Sequence, residues 1–244
     1  MISKNRLKEL AAYRLQKRCD EEAVFVVEGP KMAAEAMASG LGIRAVCATA
    51  DYAVPAFDGE YHQVSQAELE RLSLMKSPNQ VWMLVERPLG GGERSEVGGQ
   101  NALTLVLDRI QDPGNLGTML RTADWFGVRH VVCSRDTVSC FNPKVVQASM
   151  GAVFRTRVDY TDLPQWLRSS GLPVYGATLQ GKPFADVGRP DGAAALVIGN
   201  ESAGISEEVM QCVSHPVLIP NLGGTAESLN ASVAAGILMG WFCL

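Results

Sequence analysis

Three short clusters combine glycine with amide, hydroxyl or carboxylate side chains, and each directly follows a hydrophobic run. They are DPGNLGTMLRTA after residues 103–108, GNESAG at 199–204 and IPNLGGTAESLN at 219–230. Glycine lets a backbone turn sharply or approach a ligand closely, while the polar side chains supply hydrogen bonds and charge. The three clusters are therefore the candidate positions for ligand binding and catalysis.

The first cluster has the layout of a phosphate-binding loop, with a strand, a Gly/Pro turn and a helix. A dinucleotide fingerprint requires G-x-G-x-x-G, however, and Gly114 and Gly117 lack a third glycine at that spacing. The chain also lacks the Walker sequence G-x-x-x-x-G-K-[ST]. Arg121 is predicted on an otherwise small and apolar helix face, a costly place for an unpartnered charge. The cluster therefore predicts a functional arginine, with a purely structural Arg121 as the alternative.

Strands and helices alternate throughout the second part of the chain. The predicted strands are residues 103–108, 130–134, 173–178, 194–199 and 215–220. The predicted helices lie around 116–126, 143–150, 162–169, 205–212 and 228–242. Continuous Val/Leu/Ile strands separated by helices are typical of a parallel sheet that helices cover on both faces. Ligands bind such sheets beyond the carboxyl ends of the strands, where the three clusters fall.

A smaller α/β unit is predicted before this sheet. Its strands are residues 23–29, 43–49 and 80–86, with a helix that Pro30 opens and Gly40 closes. Another helix begins at Ser65, where Glu68 completes a capping-box pattern. Residues 88–100 contain five glycines and predict a flexible linker. We therefore predict domains at 1–88 and 101–244, separated by a Gly-rich linker at 89–100.

The N-terminal 18 residues predict an amphipathic helix with a basic face. Leu7, Leu10, Ala11 and Leu15 recur at helical spacing. The basic residues are Lys4, Arg6, Lys8, Arg14, Lys17 and Arg18, against a single Glu9. A phosphate-contacting RNA surface and a merely solvated face are equally weighted interpretations, because the net charge of the whole chain is −4.

The remaining composition argues against metal sites and disulfides. The six cysteines form no C-x-x-C pair, and the three histidines lie near no Cys/His cluster. Buried free thiols in a reducing compartment are the favoured interpretation. The N-terminus lacks an apolar signal-peptide core, and the apolar run at 229–244 is short for a membrane span. We therefore expect a cytoplasmic protein without membrane segments.

The three clusters resemble the three sequence motifs of a known family in order and separation. LDRIQDPGNLGTMLRTADWFGV, LVIGNESAGIS and IPNLGGTAESLNASVAAGI are similar to the motifs of the SpoU family within the SPOUT superfamily. These enzymes are RNA 2′-O-ribose methyltransferases that depend on S-adenosylmethionine (AdoMet). FVVEGPKMAAEAM resembles the start of the substrate-binding domain that often precedes their catalytic domain. The third motif is one residue longer than usual, and Ala231 replaces a more usual valine.

The resemblance implies an α/β fold with a parallel sheet, helices on both faces and a C-terminal trefoil knot. A small α/β substrate-binding domain would precede it. AdoMet would lie bent in the knot loops, held largely by backbone groups, and no metal is implied. The matching cofactor-binding positions are Thr178, Leu179, Gly199, Asn200, Glu201, Ile219, Ser228, Leu229 and Asn230. Glycine at 199 is interpreted as allowing close backbone approach to the cofactor.

The resemblance also assigns catalytic positions to Asn115, Arg121, Glu201, Ser228 and Asn230. A guanidinium stays protonated at neutral pH, which favours Arg121 as a clamp on the RNA phosphate that stabilises charge on the 2′-hydroxyl. A phosphate-assisted arginine base is the alternative. Asn115 is expected to orient Arg121 or the ribose. Glu201, with Ser228 and Asn230, is expected to hold the loops and the cofactor, or else to cap its own loop.

SpoU enzymes work as homodimers with each site near the subunit interface, so RNA and a second copy are the expected partners. Trp241 and Phe242 in the apolar C-terminal helix could line that interface or belong to an intramolecular core. Two other functions stay open. One is a non-catalytic RNA-binding protein that retains the SPOUT fold. The other is an unrelated nucleotide-binding α/β protein, which the missing phosphate fingerprints disfavour.

Overall fold

The computed structural model describes residues 2–88 and 103–244. Contacts divide the chain into two compact units, Met1–Gly92 with Phe141–Phe154, and Glu93–Cys140 with Arg155–Leu244. The predicted linker at 89–100 lies outside the described residues. The sequence placed a helix at 143–150 in the second domain, whereas its contacts group it with the first unit.

The helices and strands before the Gly-rich segment are α1 (Lys4–Ala11), α2 (Gln16–Glu21), β1 (Val24–Glu28), α3 (Pro30–Ala38), β2 (Ile43–Ala48), β3 (Glu60–Gln63), α4 (Gln66–Leu72) and β4 (Val81–Glu86). Those after it are β5 (Leu103–Leu107), α5 (Pro113–Trp125), β6 (His130–Ser134), α6 (Pro143–Ser149), β7 (Arg157–Thr161), α7 (Leu163–Ser170), β8 (Val174–Pro183), α8 (Phe184–Val187), β9 (Ala194–Ile198), α9 (Glu207–Met210), β10 (His215–Leu218) and α10 (Ala231–Cys243).

The first unit is built on a four-stranded mixed sheet in the order β1-β4-β2-β3. β4 runs antiparallel to β1 and β2, and β3 runs parallel to β2. The three predicted strands are confirmed by β1, β2 and β4, and both hydrogen bonds of the Ser65/Glu68 capping box form. The sequence missed β3 because this edge strand, EYHQ, is mostly exposed and carries no apolar pattern.

The predicted N-terminal helix is interrupted. A 3₁₀ turn at Ala12–Arg14 separates α1 from α2, and Leu15 between them is extended. Leu7 and Leu10 are buried as expected, but 67% of Leu15 is exposed. The prediction that Leu15 shares the buried face is therefore wrong, because the break in the helix ends the regular 3.6-residue period.

The second unit is built on a six-stranded parallel sheet in the order β10-β8-β9-β5-β6-β7. β5 and β9 are buried along their whole length, which explains their uninterrupted apolar sequences. Helices α7 and α9 pack over Val106, Val132 and Val197, while α10 packs against α5 and β9. The sequence missed β7, since RVDYT is a partly exposed edge strand.

The described cysteines are free thiols, and four of the six are buried. Burial raises the pKa of Cys47 to about 12, so this thiol stays protonated. Cys243 is exposed, so the prediction of buried thiols does not extend to it. In the described ranges, no helix combines the length and apolar character that crossing a membrane requires.

Candidate active site

The loops after β5, β9 and β10 carry the three sequence clusters. β5 and β9 are parallel neighbours, and β8 joins β9 to β10 in the same sheet. The carboxyl ends of parallel strands lie along one edge of a sheet, so the clusters meet there. The structure therefore brings the three clusters to the carboxyl edge of the sheet.

A hydrogen-bonded network joins one residue from each cluster. The Asn115 amide nitrogen donates to Glu201 Oε1, 86 residues further along the chain. The Asn230 amide nitrogen donates to Asn115 Oδ1 at 3.0 Å, across 115 residues. Asn115 thus uses its amide nitrogen towards one loop and its amide oxygen towards the other. The structure therefore brings these three predicted catalytic residues together.

Both asparagines are held by the helices that carry them. Asn115 lies in the first turn of α5, where its backbone N–H donates to the capping Asp112 side chain at 2.8 Å. Asn230 caps α10, and its Oδ1 accepts hydrogen bonds from the backbone N–H groups of Ser232 and Val233. The helix starts consequently fix where the two side-chain amides point.

The loop 199–206 is closed tightly on itself. Asn200 and Gly204 exchange two backbone hydrogen bonds of 3.0 and 2.9 Å, and Asn200 Oδ1 accepts from the N–H groups of Ser202 and Ala203. A Cβ on Gly199 would lie 2.3 Å from the carbonyl carbon of Gly204. Glycine at 199 is therefore required by the loop's own packing, whereas the sequence interpretation gave cofactor approach as the reason.

Two residues before α5 anchor this loop, and the sequence analysis missed both. Asp108 Oδ2 accepts the Ser206 backbone N–H at 2.6 Å, and the Arg109 carbonyl accepts the Asn200 side-chain amide at 3.0 Å. Asp108 is buried and follows β5 directly. A carboxylate at the end of a buried strand was the signal that could have identified it.

Arg121 is exposed and forms no ion pair or side-chain hydrogen bond within the described part of the chain. Leu120 and Met119 beside it are buried, so the apolar face of α5 does not include Arg121. The argument that its charge is costly without a partner is therefore wrong. Six helical residues rotate a side chain by about 240° and advance it about 9 Å, so Asn115 and Arg121 point in different directions. Asn115 contacts Glu201 and Asn230 instead.

The remaining predicted cofactor residues lie in exposed or partly exposed segments. Thr178 and Leu179 fall at the step between Gly176 and Lys182, where the register of β8 against β10 shifts. Ser228 and Leu229 lie in the exposed part of the third loop, and Ile219 is partly exposed at its start. Ser228 makes no hydrogen bond among the described residues, so the structure does not bring it into the asparagine network.

The family follows from a comparison of the whole chain with known families. A model of the SpoU rRNA Methylase family matches residues 102–240, more than half of the 244 residues. The chain belongs to the SpoU family. A second model, the MRM3-like substrate binding domain, matches residues 4–82. As a SpoU family member, the chain is an RNA 2′-O-methyltransferase that uses AdoMet as its methyl donor.

Relatives and solved structures of the SpoU family resemble the chain over different lengths. The 23S rRNA (guanosine(2553)-2′-O)-methyltransferase RlmP of Bacillus subtilis is 29% identical over 96% of this chain and 94% of its own. RlmB of Coxiella burnetii, a 23S rRNA (guanosine-2′-O-)-methyltransferase, is 35% identical, but the match covers 57% of this chain and 56% of RlmB.

Two solved structures extend the likeness to both units. A Porphyromonas gingivalis protein assigned to the TrmH family of RNA methyltransferases matches with a TM-score of 0.86 and 36% identity, covering 99% of this chain and 98% of its own. The AdoMet-bound rRNA methyltransferase of Sinorhizobium meliloti matches with a TM-score of 0.84 and 25% identity, covering 99% and 95%.

The loop residues of this SpoU chain have the chemistry that AdoMet requires. Leu179 in the last half of β8 exposes 67% of its surface, and Leu222 and Leu229 in the loop after β10 expose 96% and 46%, so the three offer apolar contacts for an adenosine. Glu201 accepts a neutral amide hydrogen bond and forms no ion pair among the described residues, which leaves a carboxylate for a cationic ligand. Among those residues, no cluster of His, Cys, Asp or Glu could hold a metal ion.

Proposed function

We propose that this SpoU enzyme methylates a ribose 2′-hydroxyl of ribosomal RNA in the cytoplasm, with a 23S rRNA guanosine as the preferred target. The hydrogen-bonded Asn115–Glu201–Asn230 network carries the proposal of activity, because it assembles polar groups from all three SpoU motifs. RlmP, which matches nearly the whole chain, supports the choice of rRNA. A non-catalytic RNA-binding protein would have no need for this network.

AdoMet supplies an electrophilic methyl group when it is bound. Glu201 and Asn230 lie in two loops at the sheet edge, and Asn115 links these loops through a hydrogen bond to each side chain. The exposed guanidinium of Arg121 binds the phosphate beside the target ribose and stabilises negative charge that develops on the 2′-oxygen. Ser228, which makes no hydrogen bond among the described residues, would supply a hydroxyl to the polar end of the cofactor. In this proposal Glu201, Asn230 and Ser228 form the cofactor side of the site, and Arg121 forms the RNA side.

We further assign residues 1–88 to RNA binding, 89–100 to a linker and 101–244 to catalysis. The match of the MRM3-like substrate binding domain to residues 4–82 supports the first assignment. A C-terminal trefoil knot is part of this proposal. Its support is the likeness to TrmH-family structures and the return of α10 from the edge strand β10 to pack on α5 and β9.

The decisive experiment supplies the purified enzyme with labelled AdoMet and ribosomal RNA from a strain that lacks the corresponding gene. We expect label on a ribose 2′-oxygen of 23S rRNA, mapped by its resistance to alkaline cleavage. Calorimetry with AdoMet, ATP and NAD completes the test. Binding of ATP or NAD without AdoMet would contradict the proposal, whereas AdoMet binding without transfer to any rRNA or tRNA would favour the non-catalytic alternative.

Four of the six basic residues in the proposed N-terminal RNA surface already have partners within the protein. Arg6 is paired with Glu9 and Glu60 at 2.9 and 2.7 Å. Lys17 pairs with Glu21 and Arg18 with Glu22, each one helical turn further along the chain. Arg14 donates to the carbonyl of Arg71. Within the described ranges only Lys4 and Lys8 of the six are exposed with neither an ion pair nor a side-chain hydrogen bond, so they are the strongest candidates for phosphate contacts.

The double substitution Lys4→Ala with Lys8→Ala is expected to weaken RNA binding without changing AdoMet binding. Each lost phosphate contact lowers the slope of log K against log salt concentration by about 0.7–0.9, so a reduction of about 1.4–1.8 is expected. Filter binding at several salt concentrations measures it. Glu9→Gln is the control of opposite sign, since it removes a negative charge beside Lys4, Lys8 and Arg6 and should tighten binding, although Arg6 keeps its pair with Glu60. An unchanged slope in the double variant would place the RNA elsewhere.

We propose a homodimer formed through the paired helices α5 and α10. Val233 and Ile237, one turn apart on α10, expose 49% and 39% of their surface, and Trp125 at the end of α5 exposes 85%. Trp241 and Phe242, in contrast, pack on Tyr175 with ring centroids 6.4 and 4.9 Å apart. These two aromatic residues therefore support the intramolecular core, and the exposed aliphatic pair supports the contact between copies.

Ile237→Asp is expected to convert the dimer into a monomer, because a charge would be buried without a partner at the contact. Light scattering coupled to size-exclusion chromatography measures the mass. Leu15→Asp, at an exposed leucine of the first unit, is the matched control and should leave the dimer intact. A dimer of unchanged stability in the Ile237→Asp protein would exclude this face.

A further inference from the structure

Arg109 has an unfavourable backbone conformation beside the site. Its φ of 58° lies in the left-handed region, which glycine adopts readily and a long side chain does not. It is the second residue after β5 and precedes the loop that leads to α5. Strain of this kind persists only where the surroundings require it, and it concentrates at functional sites.

Three interactions hold Arg109 in place between two loops. Its backbone N–H donates to Ser134 Oγ at 2.8 Å, and its carbonyl accepts the Asn200 side-chain amide at 3.0 Å. Its guanidinium Nη2 donates to the Gly204 carbonyl at 3.3 Å. The strained residue therefore contacts both ends of the closed turn between Asn200 and Gly204.

Part of the Arg109 guanidinium is shielded from solvent. Nε is buried and lacks a hydrogen-bond partner among the described residues, and it lies 3.6 Å from Asp108 Oδ1. Asp108 in turn accepts the Ser206 N–H. The Asp108–Arg109 pair thus forms hydrogen bonds to the loop 199–206 at Asn200, Gly204 and Ser206. Glu201, which accepts a hydrogen bond from Asn115, lies between these bonded positions.

We propose that Arg109 is a positioning residue that keeps the loop 199–206 in its AdoMet-binding form. Its backbone strain is the cost of placing a guanidinium against the Gly204 carbonyl. The inference rests on the proposed use of this loop for AdoMet. It predicts that stability and cofactor affinity respond in opposite directions when Arg109 is replaced by glycine.

The test compares Arg109→Gly and Arg109→Lys with the unmodified full chain. Arg109→Gly releases the strain, so we expect a melting temperature equal to or above that of the unmodified protein. The AdoMet Kd from calorimetry and the KM for AdoMet should both rise about tenfold, the effect of losing one charge-assisted hydrogen bond. The KM for RNA should stay unchanged. Arg109→Lys, which keeps a cation near Gly204, should restore the Kd to within about threefold.

Gln80→Gly is the matched control, since Gln80 has the same φ of 58° but belongs to the first unit. It should raise the melting temperature and leave AdoMet binding unchanged. An Arg109→Gly protein that binds AdoMet like the unmodified chain would overturn the inference, as would one in which stability and affinity fall together. If the unmodified protein binds no AdoMet at all, the proposed function fails and the positioning role fails with it.

Discussion

Arg121→Ala should reduce methyl transfer by about 100- to 1,000-fold, the range for losing one group that stabilises transition-state charge. AdoMet binding should stay near its unmodified value, because the side chain forms no hydrogen bond or ion pair with the described residues of the proposed cofactor loops. The free energy of unfolding should change by less than about 0.5 kcal/mol, since an exposed and unpaired side chain contributes little to stability. Single-turnover transfer, calorimetry and thermal unfolding measure the three quantities.

The matched control is Arg168→Ala, which removes another exposed arginine, on α7 of the same unit. It should leave all three measurements unchanged. Arg121→Lys adds a second test, because a lysine keeps the charge but loses the planar fork that binds phosphate oxygens. Intermediate activity is expected from this variant. Joint loss of transfer and AdoMet binding in Arg121→Ala would show that the residue belongs to the cofactor side.

Gly199→Ala should eliminate measurable AdoMet binding. The added methyl group would lie 2.3 Å from the Gly204 carbonyl carbon and from the Ile205 nitrogen, both backbone atoms that cannot rotate away. The turn must open, and its opening separates Glu201 from Asn115. Overpacking of this kind also costs about 1–3 kcal/mol of stability. Calorimetry and chemical unfolding of the same preparation measure both effects.

Gly236→Ala is the control for the addition of one methyl group. Its new Cβ would meet only the Thr122 methyl at 3.8 Å, an ordinary contact, and alanine favours the helix α10. We expect unchanged AdoMet binding and equal or greater stability. Wild-type affinity in Gly199→Ala would mean that the loop adopts another form when the cofactor is bound.

The sequence predicted the buried strands well and missed two exposed edge strands, although it predicted the edge strands β1 and β10. The strands at 103–107 and 194–198 are buried on both faces, so their sequences are continuously apolar and easy to identify. The edge strands β3 and β7 form by backbone pairing to a neighbour, and their side chains are mostly or partly exposed. A pattern that depends on burial carries no information about such strands.

The site residues divide in the same way. Their position at one sheet edge followed from the strand ends. The hydrogen bonds of Asn115 to Glu201 and Asn230 did not, because these partners lie 86 and 115 residues further along the chain and no periodic pattern connects residues so far apart. The resemblance to the SpoU motifs supplied these residues as a set. Arg121 was assigned to the wrong face because its immediate neighbours are apolar, although only helical phase determines which side chains are buried.

The long separations within the network also determine when the site exists during folding. The central asparagine lies near the start of the second unit, and one of its partners caps the last helix. Contacts between distant residues form slowly, because each requires the loss of chain entropy before it contributes stability. A chain that is still incomplete has its first motif but no partner for it. Competence to bind the methyl donor therefore requires that the third motif, with Asn230 at the start of α10, has already joined the sheet.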